Sequence, residues 1–89
     1  MIVLTIYSRP GCHLCEEMKA AIARVTASSG IAASVEEIDV STDPDLERRF
    51  GAEIPVLLVN GKKAAKYRLR DEELGRLIDA VRETGQARG

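Results

Sequence analysis

The first 40 residues alternate strand, helix, strand, and that order constrains the fold more than any other feature of the chain. Ile2, Val3, Leu4, Ile6 and Tyr7 make a short, nearly continuous apolar run, partly β-branched, that ends at Ser8-Arg9-Pro10-Gly11. Such a run reads as a strand buried on both faces. Leu14, Met18, Ala21, Ile22 and Val25 then recur at helical spacing, with Glu16 and Glu17 in the first turn, where negative charge suits the positive end of the helix dipole. Ser28-Ser29-Gly30 stops the helix, and Val35, Ile38 and Val40, interleaved with Glu36, Glu37 and Asp39, mark a second strand. Two strands joined through a helix run parallel, with a right-handed crossover that lays the helix over one face of the sheet.

The remaining half supplies a short helix, a hairpin and a last helix. Asp43 caps a helix that opens on Pro44, carries Leu46 and Phe50 on one face and ends before Gly51. Ile54-Pro55-Val56-Leu57-Leu58-Val59 is a third strand, and Asn60-Gly61 supplies the positive-φ pair of a tight turn into an antiparallel fourth strand, Lys62 to Tyr67. Asp71 caps a final helix with the stripe Leu74, Leu77, Ile78 and Val81, released at Gly85, and Gln86 to Gly89 fray. The layout is βαβ-α-ββ-α, an α/β arrangement with a four-stranded mixed sheet flanked by three helices. A chain of 89 residues and 9.7 kDa without a linker or an internal repeat fits one domain, residues 1–89.

Composition removes several functional classes. With 13 basic and 14 acidic side chains the net charge is −1, so no bulk field draws the domain to nucleic acid or to an anionic membrane. Aromatic residues are 3% and tryptophan is absent, which removes the stacking platforms of single-stranded nucleic-acid binders. No stretch approaches the ~20 consecutive apolar residues of a membrane-spanning helix. The amino terminus has no basic leader, long apolar region or small-residue cleavage site, and we read a cytoplasmic protein and a monomer.

Both cysteines and the single histidine fall within four positions, Cys12-His13-Leu14-Cys15. Cys12 lies where strand gives way to helix, so unpaired backbone N–H groups and the positive dipole end favour its thiolate. Cys15 lies one turn further in, close enough to form a disulfide with Cys12 and shielded by its neighbours. This suits a sequence in which Cys12 attacks a disulfide and Cys15 resolves the mixed disulfide. Other readings fit less well. A zinc site takes four ligands, and the chain offers only Cys12, Cys15 and His13, so no metal is assigned. Inert core cysteines sit inside elements, whereas Pro10-Gly11 put Cys12 in a turn. A C-x-x-C beside a βαβ pattern reads as a thioredoxin-like redox motif.

Tyr7-Ser8-Arg9-Pro10-Gly11-Cys12-His13-Leu14-Cys15 resembles the active-site segment of glutaredoxins, and more closely that of small bacterial glutaredoxin-like proteins. The resemblance implies a thioredoxin fold. It also implies that a cis-proline opening the third strand, here Pro55, faces the attacking cysteine, with Ile54 before it pairing its backbone with substrate. The implied activity is dithiol–disulfide exchange with a protein or small-molecule disulfide, without a required cofactor. Glutathione or a thioredoxin-reductase-type donor would be the reductant. The alternative is a thioredoxin-fold adaptor, or a protein bridging a 2Fe–2S cluster between protomers through Cys12 without turnover. Two departures bear on this. Glutaredoxins carry a Gly-Gly pair before the last helix, where Leu69-Arg70 stand here, and this counts against glutathione binding. The central dipeptide is His-Leu rather than Pro-Tyr or Gly-Pro, which leaves the direction of net electron flow open. Thioredoxins have a buried acid six residues before the attacking cysteine, and Ile6 occupies that place.

Among the neighbours, Arg9 is a cation three residues before Cys12 that would stabilise a thiolate or bind a substrate carboxylate. His13 at a helix N-terminus is expected to be exposed and mostly neutral. Tyr7 is expected to pack. Lys62, Lys63, Lys66, Arg68 and Arg70 form a basic tract that reads as protection of an edge strand.

Overall fold

In the computed structural model, which describes residues 2–83, β1 (Ile2–Ser8) is a central strand of a four-stranded sheet. It pairs in parallel with β2 (Ala33–Asp39) and antiparallel with β3 (Val56–Val59), and β4 (Lys62–Lys66) adds to β3, giving the order β2-β1-β3-β4. The helices are α1 (His13–Ser29), α2 (Pro44–Phe50) and α3 (Asp71–Glu83), with a single tight turn over Val40–Thr42 ahead of α2. The expected element order is therefore present.

Strand alternation decides which side chains enter the core. Ile2, Leu4 and Ile6 of β1 join Leu57 and Val59 of β3, Met18, Ile22 and Val25 of α1, and Leu74 and Ile78 of α3 in one buried cluster. Each such side chain contributes about 1.5–3 kcal/mol through removal from water. The opposite face is covered less completely. Phe50 of α2 stacks on Tyr7 with ring centroids 4.4 Å apart, so Tyr7 packs as expected. Val3, at the other end of the strand, is 40% exposed. The expectation that this strand is buried on both faces holds only for the end next to the turn, because a seven-residue helix spans only part of the sheet.

Three further boundaries differ from the sequence reading. β3 begins at Val56, and Ile54-Pro55 forms its lead-in, joined by a cis peptide bond. β4 stops at Lys66, and Tyr67 turns the chain with φ of 67°. Asp71 does not cap α3. Helical bonding starts at the Arg70 carbonyl, which accepts the Leu74 N–H at 3.0 Å, and Glu73 Oε1 accepts the Arg70 N–H at 3.1 Å. The Asp71 carboxylate instead accepts Arg24 Nε at 2.9 Å and Nη2 at 3.0 Å, tying α3 to α1. Gly85 and the segment 86–89 lie outside the described residues.

Two turns follow their sequence signals. Asp43 Oδ1 accepts the N–H groups of Asp45 at 2.9 Å and Leu46 at 3.4 Å ahead of Pro44, a cap worth about 1 kcal/mol. Asn60 (φ 51°) and Gly61 (φ 85°) close the β3–β4 hairpin. Asn60 Oδ1 also accepts the Val3 N–H at 2.9 Å, fastening the hairpin to β1. On the β4 edge, Lys63 and Lys66 reach Glu53 at 2.9 and 3.5 Å. No helix among the described residues is long and apolar enough to cross a membrane.

Candidate active site

The site is built where β1 ends. Gly11, at φ of 78°, turns the chain in a conformation that other residues rarely adopt, and the Cys12 N–H donates to the Arg9 carbonyl at 3.3 Å. Cys12 is extended (φ −87°, ψ 109°) and occupies the N-cap of α1. Its carbonyl accepts the Glu16 N–H at 3.2 Å, the first bond of the helix, and its Sγ accepts the Cys15 N–H at 3.1 Å. A sulfur in this position meets the donors that a helix start leaves unpaired, together with the positive dipole end. Cys12 and Cys15 are joined in a disulfide with Cα atoms 5.2 Å apart. The two sulfurs are unequal in access. Cys12 is half-buried, while Cys15 is 1% exposed and lies on the apolar stripe with Met18, Ala21, Ile22 and Val25.

The charges nearby are largely paired. His13 is 85% exposed, with Nε2 2.9 Å from a Glu17 oxygen, and Glu16 pairs with Lys19 at 3.0 Å. Arg9 donates from Nη2 to the Glu47 carboxylate and to the Gly51 carbonyl at 3.3 Å. Behind the turn, the buried Ser8 hydroxyl donates to Glu37 at 2.7 Å, and Lys19 on α1 reaches the same carboxylate at 3.1 and 3.2 Å. The Ser8 hydroxyl first, then the Lys19 ammonium, hold the Glu37 carboxyl below its usual range. Because the folded value is the lower one, this contribution to stability is present above the unfolded carboxylate range and fades as pH falls through the folded value. Urea midpoints measured from pH 6 down to pH 3 should therefore decline less steeply in Glu37→Gln than in the parent chain. Parallel declines would show that the carboxylate adds nothing.

Register places Pro55 at this end of the sheet. Tyr7 pairs with Val56 across the antiparallel β1–β3 ladder, so Pro55 lies level with Ser8, where β1 leads into the turn that carries Cys12. The Pro55 carbonyl accepts the Tyr67 N–H at 2.8 Å, and Ile54 is half-buried beside it. A groove of about 800 Å³ opens from Leu14, between the cysteines, along Met18 and Ala21 to Arg24, with Tyr67 and Leu69 on its other wall. Nothing in the sequence announces this groove, because its second wall comes from a segment more than 40 residues away. Among the described residues, no group of three or more His, Cys, Asp or Glu side chains gathers to hold a metal ion.

A disulfide heading the first helix, a cis-proline opening the third strand and the sheet order β2-β1-β3-β4 define a thioredoxin-fold protein of redox type. The chain belongs to the family described as "Glutaredoxin-like domain (DUF836)", which it matches over residues 3–79. It is similar to a structural genomics target protein from X. campestris, with 27% identity, a TM-score of 0.74 and coverage of 86% of this chain and 96% of that one. A protein from Nitrosomonas europaea shares 31% identity at a TM-score of 0.71, over 85% of this chain and 89% of its own. Thioredoxin-2, described as a component of the malaria parasite protein secretion machinery, superposes with a TM-score of 0.65 at 18% identity, over 90% and 82% of the two chains, a likeness of fold. No curated protein matches the chain.

Proposed function

We propose that this protein is a dithiol–disulfide oxidoreductase in which Cys12 attacks and Cys15 resolves. The observation that carries the reading is the unequal pair of sulfurs: Cys12 caps α1 and accepts a backbone N–H at 3.1 Å, while Cys15 is almost wholly enclosed. In the reduced protein the Cys12 thiolate attacks one sulfur of a substrate disulfide, forming a mixed disulfide and expelling the first substrate thiolate. The Cys15 thiolate then attacks Cys12 Sγ, which closes the intramolecular disulfide and releases the second substrate thiolate. Two electrons pass to the substrate, and an external thiol reductant restores the dithiol. Ile54, half-buried ahead of the cis-proline at the same end of the sheet, is the residue whose backbone would pair with substrate.

Leu69 and Arg70 precede α3 where glutaredoxins have paired glycines, which favours a dithiol donor over glutathione as the reductant. Cytoplasmic location and a monomeric state accompany this reading. The experiment is a trap. Cys15→Ser should accumulate mixed disulfides through Cys12, seen as adducts on non-reducing gels, while turnover of the parent chain with glutathione is compared with turnover driven by a thioredoxin-reductase system. Absence of adducts together with absence of turnover under both reductants would overturn the proposal. Visible absorbance bands in the anaerobically purified protein would point instead to a cluster-bridging role.

A further inference from the structure

Arg9 joins the turn that carries Cys12 to the α2 side of the sheet. Its carbonyl accepts the Cys12 N–H, and its guanidinium is held by the Glu47 carboxylate and the Gly51 carbonyl. Asp39, at the end of β2, feels the same cation: its carboxyl is held low first by the Ser41 hydroxyl and N–H and then by the Arg9 charge. Arg9 Nε is enclosed without an acceptor among the described residues, so the guanidinium is compensated through its Nη2 edge, chiefly by Glu47. Gly51 leaves the space in which Glu47 folds back. A Cβ at position 51 would lie 2.5 Å from the Glu47 carbonyl oxygen and 2.8 Å from its Cδ, so any larger residue shifts both that side chain and the last turn of α2.

We propose that Glu47 is a positioning residue for Cys12, setting through its pair with Arg9 how much of that cation's field reaches the sulfur. The proposal rests on the reading of Cys12 as the attacking thiol. With Glu47 neutralised, Arg9 acts on the turn uncompensated and the thiolate gains stability. With Arg9 neutralised, the thiolate loses its cation and faces the Glu47 charge instead. The remaining charges around this turn, the positive end of α1, the His13–Glu17 and Glu16–Lys19 pairs and Asp39, are common to all these forms.

The test uses the full chain carrying Cys15→Ser, in which Cys12 is the single thiol, and follows the rate of iodoacetamide alkylation against pH. Arg9→Gln should move the profile to higher pH and slow alkylation below the midpoint by roughly two- to fivefold, the range open to a half-exposed charge. Glu47→Gln should move it to lower pH, speeding alkylation by a similar factor of roughly two to five. Arg9→Lys should stay near the parent profile. A brace that is only structural would shift the Arg9 and Glu47 variants in one direction. That result, or unmoved profiles in variants that still melt cooperatively, overturns the proposal. Alkylation is read without any disulfide substrate, so this outcome is separate from failure of turnover.

Discussion

Cys12→Ser loses turnover by about a thousandfold or more and forms no mixed disulfide, while Cys15→Ser keeps the attacking step and stalls after it. The difference follows from placement. A serine hydroxyl at position 12 stays protonated at neutral pH even at a helix N-terminus, and it cannot form the covalent sulfur–sulfur link that carries the electrons. Cys15 cannot take over, because at 1% exposure its sulfur is closed to any incoming disulfide and opens only toward Cys12. The stalled Cys15→Ser adduct is released only when an external thiol reaches it, so its rate should rise with added thiol, whereas that of Cys12→Ser should not. Stopped-flow reduction of a small aromatic disulfide, followed by release of its coloured thiolate, separates the two variants. Equal residual rates in both would refute the division of labour between the sulfurs.

The parts of this site that were legible in the sequence are those set by local periodicity. Pro10-Gly11 ends one apolar run and Leu14, Met18 and Ile22 start another, so Cys12 had to fall at a strand–helix junction, and it does. Asn60-Gly61 and Asp43-Pro44 behave as their backbone preferences require. What the sequence hid are contacts between distant segments. Glu37 reaches Ser8 across 29 positions, Glu47 reaches Arg9 across 38 and Asp71 reaches Arg24 across 47. In each case a side chain that reads as a local feature, a strand charge, a helix charge or a cap, is recruited by tertiary packing. Asp71 is the clearest case: helical bonding begins at the Arg70 carbonyl, so Asp71 already lies inside the first turn, and its carboxylate pairs with Arg24 instead of capping. The exposure of Val3 was hidden for a different reason, since an apolar run does not record how much helix will lie over it.

The second large effect is expected from Leu57→Ala. Leu57 is fully buried, pairs with Ile6 on the central ladder and packs in the cluster closed by α1 and α3. Removing three carbons there forfeits transfer energy and leaves a cavity, a loss of about 2–5 kcal/mol. For so short a chain this is a large share of a total of about 5–15 kcal/mol. Val35→Ala is the control: Val35 sits on the β2 edge at 50% exposure, and its truncation should stay within about 0.5 kcal/mol. Urea denaturation measures both, with lower midpoint and unchanged slope expected for Leu57→Ala, and equal midpoints for the two variants would contradict the core assigned here. The consequence reaches the sulfurs, because the ladder that Leu57 and Ile6 hold in register also brings Pro55 level with Ser8 at the start of the Cys12 turn. A chain that loses this layer should therefore lose the difference in access between Cys12 and Cys15: in reduced Leu57→Ala at moderate urea, both thiols should alkylate at similar rates while the parent chain still distinguishes them.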